Sequence, residues 1–583
     1  MSDIEYDILI INGLIIDGTG QPGYRGSIAI KDERISVISQ EKLKVSARYV
    51  IDANGLIVTP GFIDAHSHAD KTLPLFPTAD SYVMQGVTTT VGGNCGNTIA
   101  PIIKYWPPNM FWDLDIIHEL RPFKYYPEEL IPFEEVRRAI KKKYGVDISW
   151  RTFSEFLSWL ESTGISVNHV PLVGHNTIRA QVMGLEKKDP SKKELNQMKE
   201  LVREAMEAGA FGLSTGLDYI PGTYAKTEEI IELVKVVKEY NGIYATHWRR
   251  TGPRIGGAKP PIEKIEGIRE ALRIAEEVDI PVQISHLVSG YLIYPKPPAE
   301  LEEAAIRATL KVIDEAINKG VDVYFDVIPN ETGGTLTFKY LASYLAPWLR
   351  EAGSRKRLAL MLRMKDYRNE VKDAIIKGKW YYLNPNIDPY WHRNIKIVKC
   401  RVKKFNNKTI EEISVSENKD PLDMLFEILI RDPNTMIEHL DFRSEVELKI
   451  LFKHPRSMVG LDTYAFNDKW MMNKPPYYLP HSNTYDGMIK FLKRFARELK
   501  ILTLVEAVAK ITSLPARRFR IKDRGVIKEG LYADIVVFDF KELSEKSTAL
   551  EPRAYPKGIH YVIVNGKIVV ERGKHTGVRP GKI

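Results

Sequence analysis

The stretch Gly61-Phe-Ile-Asp-Ala-His-Ser-His68 decides how the rest of the chain is read. It follows the apolar run Leu56-Ile57-Val58, so it reads as the end of a buried strand. His66 and His68 are two apart, and alternate residues of a strand share a face. Both imidazoles can therefore meet one metal ion, and imidazole suits zinc and its neighbours. A His-x-His pair alone is a common accident; its meaning depends on the ligand-type residues further along.

On the N-terminal side, residues 1–55 are short apolar pieces punctuated by Gly13, Gly18, Gly20, Gly23 and Gly26, the pattern of a small β-unit. Residues 524–583 read the same way, and Asn565-Gly566 between apolar runs marks a hairpin. The two ends are expected to form one small β-sandwich domain. On the C-terminal side, residues 56–523 alternate buried-looking strands with amphipathic helices. Strands are expected at 56–65, 87–93, 167–174, 210–215, 242–247, 281–286, 321–328 and 457–463. Helices are expected between them, at 193–208, 228–240, 265–277 and 304–319. Eight βα units argue for an α/β fold of TIM (β/α)8 barrel type, whose active-site groups sit at the C-terminal ends of the strands. Two connections, 100–150 and 330–456, are long enough to be binding elements or lids.

The ligand-type residues fall where a barrel would use them. His66 and His68 end the first strand, Cys95 follows the second, and His247 and His286 end the fifth and sixth. Asp462 ends the eighth, and His175 stands at the end of the third. One such residue is usually structural; the five strand ends other than that of His175, aimed at one mouth, point to a metal site.

The bulk composition narrows the alternatives. At 583 residues the chain needs more than one domain, and its 44% apolar and 27% charged content is that of a globular protein. No apolar run is long enough to span a membrane. Net charge is +9, with no long basic block, so nucleic acid is not an expected partner. Cys95 and Cys400 are the only cysteines, which excludes a disulfide framework. Met1-Ser-Asp-Ile-Glu lacks a signal pattern, so the expected location is cytoplasmic. Glutamine is scarce beside abundant Lys, Glu and Ile, a composition that suits a thermophilic source.

At this point the chain resembles the amidohydrolase superfamily, and within it the D-aminoacylase (N-acyl-D-amino-acid deacylase) family. The residues that carry the resemblance begin with Gly61–His68, Gly93-Asn-Cys-Gly96 and Val173-Gly-His-Asn-Thr-Ile-Arg179. They continue with the run from Gly212 to Gly222, Tyr244-Ala-Thr-His247 and Val282-Gln-Ile-Ser-His286. Near the C-terminus they are Leu514-Pro-Ala516, Arg524-Gly525 and Ala533-Asp-Ile-Val-Val-Phe538. The resemblance implies a zinc ion held tightly by Cys95, His247 and His286. It implies a second, weaker position at His66 and His68, and Asp462 as general base and acid. The implied partner is a small-molecule amide, and a homo-oligomer is compatible with the pattern.

The departures bear on substrate. The family's lysine two residues past the sixth-strand histidine is Val288 here. Its tyrosine after the seventh strand is Ile328, and a late arginine is Asn483. Those three groups hold the substrate α-carboxylate in the family, so an amide lacking that carboxylate is the expected substrate. His175, Arg179, Arg249 and Arg250 are the remaining candidate substrate-binding residues; Arg249 also occurs in the ordinary family pattern, whereas Arg250 is new. The aromatic segment 105–126 offers cover for an apolar substrate. The expected activity is hydrolysis of a linear amide C–N bond. A cyclic amide or imide hydrolase, and a scaffold subunit without catalysis, are the alternatives.

Overall fold

The computed structural model describes residues 5–583, apart from 42, 108–115, 117–119, 121–129, 251–263, 292, 294–296, 381–382, 387 and 441–442. Most of the aromatic segment 105–126, and His118 with it, lies outside the described residues.

Parallel strands form the middle of the chain. Phe62–Asp64, Val87–Gly92 and Asn168–Pro171 pair side by side. The third runs on into Val173–Gly174, which opens a six-stranded parallel sheet. That sheet continues in chain order through Gly212–Gly216, Ile243–His247, Val282–Ile284, Val323–Val327 and Ser457–Val459. The last strand also reaches the first: Ala65 N donates to the Val459 carbonyl at 3.2 Å, and Asp462 N donates to the His66 carbonyl at 2.8 Å. Each of these strands is almost wholly buried, which is why its sequence is a continuous apolar run rather than an alternating one.

The helices follow from local sequence. Lys192–Glu207 starts at a capping box, with the Ser191 hydroxyl on the Glu194 N–H and the Glu194 carboxylate on the Ser191 N–H. Ile265–Val278 buries Ile265, Ile268, Leu272 and Ala275, spaced at three and four so that they share one face. Helices Thr227–Glu239 and Ala299–Asn318 cover neighbouring strands in the same way.

Both chain ends enter one nine-stranded sheet. Ile535–Phe538 and the hairpin Ile559–Val564 and Lys567–Glu571 pair alongside the N-terminal strands Tyr6–Ile15, Tyr24–Lys31 and Arg34–Ser39. Asn565 and Gly566 turn the hairpin with φ of 47° and 72°, the left-handed values such a turn needs.

One expectation is corrected. Residues 56–65 are not one strand. Ile57–Pro60 pairs with Ile535–Phe538 in the terminal sheet, and only Phe62–Asp64 joins the middle. Gly61 is the break: a Cβ there would lie 2.0 Å from Thr88 Oγ1, so the chain can pass from one sheet to the other only without a side chain.

The long connection 330–456 supplies most of a second apolar core, which includes Trp348, Trp380, Trp391, Phe405 and Phe426 and is completed by Phe76, Phe466, Trp470 and Tyr485 from outside it. Its strands Ile395–Lys399 and Met436–His439 pair with each other, and Leu336–Phe338 pairs with Tyr478–Pro480.

A buried polar knot joins the terminal sheet to the parallel strands. The Asp534 carboxylate accepts from Arg524, from Asn565 N at 2.8 Å and from Asn168 Nδ2 at 3.0 Å. Asn565 Nδ2 in turn donates to Asn168 Oδ1 at 2.8 Å. Removing one member of a buried ion pair strands the other, at a cost of about 3–5 kcal/mol. Asp534→Ala is therefore expected to lower the thermal unfolding midpoint clearly; an unchanged midpoint would mean that the knot does not secure the terminal sheet.

Candidate metal and active site

The Cys95 thiol lies at the centre of the strand-end cluster. Its Sγ is 3.4 Å from His66 Nε2, 3.6 Å from His247 Nδ1 and 3.5 Å from His286 Nε2. One thiol carries one proton and cannot satisfy three imidazoles by donation. The distances have another meaning. A tetrahedral ion bound through sulfur at about 2.3 Å and nitrogen at about 2.0–2.1 Å sets those two ligand atoms roughly 3.6 Å apart. Three overlapping ligand sets result, each with its atoms within 4.8 Å: His66 with His68 and Cys95, Cys95 with His247 and His286, and His66 with His286 and Asp462. The donors present, one sulfur with imidazoles and a carboxylate, fit a borderline-soft divalent ion.

The backbone is bent to make this cluster. Cys95, His286 and Asp462 all have left-handed φ, at 56°, 35° and 54°. Non-glycine residues held so cost on the order of 1–3 kcal/mol each, and such strain persists where the surroundings over-determine it. Glycine makes the Cys95 turn possible. Gly93 has φ of 78°, and a Cβ on it would lie 2.0 Å from the Leu172 carbonyl. Gly96 is as tight, 2.4 Å from Asn176 Oδ1. This packing is the physical content of Gly93-Asn-Cys-Gly96.

Carboxylates behind the cluster aim the ligands. Asp218 Oδ2 lies 3.1 Å from His247 Nε2, which leaves Nδ1 facing Cys95. Tyr219 Oη is 3.1 Å from that Nδ1 as well. Asp326 Oδ1 accepts from His286 N at 2.7 Å and stands 3.3 Å from His66 Nδ1, while Gln283 donates to its other oxygen. Asp64 Oδ1 accepts from His66 N and from Leu461 N, tying the first strand to the turn before Asp462. Such outer partners fix the tautomer and orientation of metal-binding imidazoles.

Electrostatics separates the two ends of the His68–Asp462 contact, 3.0 Å from Nε2 to Oδ1. Burial alone would raise the Asp462 carboxyl, but the His68 hydrogen bond and the His66 charge outweigh it and hold the group well below the usual carboxylate range. Burial and Lys71 push His68 down to about 4. The pair is thus a carboxylate and a neutral imidazole donating from Nε2. Burial opposes charge on His66 too, yet Asp326 and Cys95 prevail and hold its pKa well above the ordinary value. Burial pushes Asp64 up to about 8 against two backbone donors.

The structure thus gathers His66, His68, Cys95, His247, His286 and Asp462. Of the other expected site residues, Arg250 reaches the cluster through Asp218 and the rest are engaged elsewhere. His175 Nε2 is 2.8 Å from Glu229, and Arg179 Nε donates to the same carboxylate at 3.1 Å, with both side chains fully buried. Arg249 pairs with Glu270 and donates to the carbonyls of Thr223 and Ala225. Arg250 donates its N–H to Asp218 and holds Nε 3.6 Å from the same carboxylate. Val288 is half-buried against the main core. Asn483 Oδ1 accepts from Asn330, whose own Oδ1 accepts from Lys490. Asp218 and Tyr219 lie in the run from Gly212 to Gly222 but were given no role by it, and Asp326, which gained none either, had a usable signal as the last but one residue of the seventh strand.

Comparison with known proteins follows the same geometry. The profile described as the amidohydrolase family matches residues 49–341 and 474–570. A D-aminoacylase of Alcaligenes xylosoxydans xylosoxydans is 28% identical, over 99% of this chain and 97% of the relative. An N-acyl-D-aspartate deacylase from the same organism is 29% identical, over 99% and 94%. The structure of an N-acyl-D-glutamate deacylase from Bordetella bronchiseptica, complexed with zinc and a phosphonate inhibitor, superposes with a TM-score of 0.67 at 27% identity, covering 99% of both chains. With its family profile, its full-length relatives and its buried histidine–cysteine cluster in agreement, the chain belongs to the amidohydrolase family.

Proposed function

We propose that this protein is a zinc-dependent deacylase that hydrolyses a linear amide C–N bond. The observation that carries the reading is the Cys95 sulfur among three imidazole nitrogens, with Asp462 bonded to His68 beside them. Full-length relatives named for N-acyl-D-amino-acid substrates support a linear rather than a cyclic amide. A scaffold subunit would have no use for three strained residues converging on one cluster.

The proposed frame is a closed (β/α)8 barrel; the bonds from Ala65 to Val459 and from Asp462 to His66 support closure. Residues 1–55 with 524–583 are proposed as the small β-sandwich domain, enlarged by Ile57–Pro60. The hydrolase unit then carries insertions at 100–150 and 330–456.

Cys95, His247 and His286 would hold the tight ion, and His66 and His68 the weaker position. Zinc bound there supplies a water acidified to a pKa of about 7 and a Lewis acid for the amide oxygen. The chain's own work falls to Asp462. As a carboxylate it can take the proton of the attacking water at Oδ2 while His68 fixes Oδ1. Protonated in turn, it can deliver that proton to the departing nitrogen. The burial of the cluster excludes bulk water and strengthens each of these contacts.

Specificity is proposed to differ from the relatives'. Val288 and Ile328 offer no donor to a substrate carboxylate, and Asn483, whose Oδ1 accepts from Asn330, offers only a neutral amide. A carboxylate buried against those three residues would meet no cation among them.

Three outcomes test this reading. Cys95→Ala and His247→Ala are expected to lose the tightly bound ion by elemental analysis of the purified protein; full metal content in both would remove the proposed site. Asp218→Asn keeps every ligand but unfixes His247, and is expected to weaken metal affinity about 10–100-fold, the usual scale for an outer partner. Asp462→Asn is expected to fold, keep its metal and lose ~10²–10⁴-fold in kcat on an amide panel, the scale of general acid–base catalysis. A variant close to the parent in rate would place the base elsewhere.

A further inference from the structure

The fourth parallel strand, Gly212–Gly216, reads Gly-Leu-Ser-Thr-Gly and offers no ligand-type side chain. It is nonetheless packed directly on the turn that carries Cys95. A Cβ on Gly216 would lie 2.1 Å from the Cys95 carbonyl oxygen. Ser214 stands two residues earlier, on the same face of the strand. Its Oγ donates to the Gly93 carbonyl and accepts from Gly96 N at 3.0 Å. One hydroxyl has one proton to give and lone pairs to accept with, so both capacities are used. The two bonds fall on either side of Cys95.

The turn they hold is a strained one. Cys95 and Gly96 are its central residues, closed by Asn97 N on the Asn94 carbonyl at 3.3 Å. Both central residues have positive φ, 56° and 74°. Gly96 adopts that conformation freely, whereas Cys95 does so only if its surroundings impose it. Most polar groups of the turn are met from elsewhere. Gly93 N donates to Asp70 Oδ1 at 3.0 Å, the Cys95 carbonyl accepts from Asn97 Nδ2 at 3.0 Å, and the Gly96 carbonyl accepts from Thr177 N at 3.2 Å. The Gly93 carbonyl and the Gly96 N–H are the groups that Ser214 satisfies. Residues 93–96 are buried throughout, so removing the hydroxyl would orphan both.

Resting on the metal site of the deacylase reading, we propose that Ser214 is the positioning residue of Cys95. By bridging Gly93 and Gly96 its hydroxyl keeps the turn left-handed, and so aims Sγ at His66, His247 and His286. It acts through backbone atoms alone. Thr215, the next residue of the strand, supplies the contrast. It is equally buried, but its hydroxyl meets Tyr244 Oη at 3.0 Å and Thr246 Oγ1 at 2.8 Å.

The test uses metal-free parent protein, Ser214→Ala, Ser214→Thr and Thr215→Val, each titrated with cobalt(II). Sulfur-to-cobalt charge-transfer absorption in the near ultraviolet reports whether the thiolate reaches the ion. Ser214→Ala is expected to bind cobalt about 10–100-fold more weakly, the scale of an outer partner of a metal site. At saturation it should also lose most of the absorption that the parent shows. Ser214→Thr keeps the hydroxyl and should retain both properties, and Thr215→Val should match the parent. Parent-like affinity and absorption in Ser214→Ala would overturn the proposal. So would an equal loss in Thr215→Val, which would mean damage general to the strand, or in Ser214→Thr. Crystal structures of metal-free parent and Ser214→Ala separate this proposal from the metal assignment. In the variant, Sγ is expected to withdraw from at least one of the three nitrogens it meets at 3.4–3.6 Å. An unmoved Sγ, including one with a water in place of the hydroxyl, would overturn the role of Ser214 whatever the metal does. A parent without the charge-transfer absorption would defeat the metal assignment, and the crystal structures alone would then decide the role of Ser214.

Discussion

One sulfur atom sets the geometry of this site. Cys95 Sγ meets His66, His247 and His286 at 3.4–3.6 Å, and those residues come from three different strand ends. The strands converge because they run parallel and in chain order, and the sulfur can sit at their meeting point because the turn that carries it is left-handed. That turn in turn depends on Gly93 and Gly96, where no side chain fits. A mutation at either glycine would reach the chemistry without touching a ligand.

Buried carboxylates extend the constraint outward. Asp326 ties the sixth strand to the first through His286 and His66, and Asp64 ties the first strand to the segment before Asp462. Asp218 binds His247 on one side and Arg250 on the other. Charge inside the protein is expensive unless shared, and Asp326 and Asp218 each meet two partners. The same side chains that orient the candidate ligands thus also tie the strand ends together.

The sequence reveals the candidate ligands more readily than it reveals what holds them. His66 and His68 are legible because strand periodicity puts them on one face, and His247 and His286 because each ends an apolar run. Asn565-Gly566 is legible because its turn needs left-handed backbone. The division at Gly61 was hidden: residues 56–65 are apolar throughout, and only the approach of Thr88, from another strand, shows why the chain must break there. The role of Asp218 was hidden for a similar reason: no local spacing announces that its carboxylate meets both His247 and Arg250.

The most direct measurement is X-ray absorption at the edge of the bound metal in the intact protein. The account predicts a first shell with one sulfur at about 2.3 Å and nitrogens at about 2.0–2.1 Å. A shell of nitrogen and oxygen alone would contradict it, since Cys95 would then not be the ligand around which the strand ends are arranged.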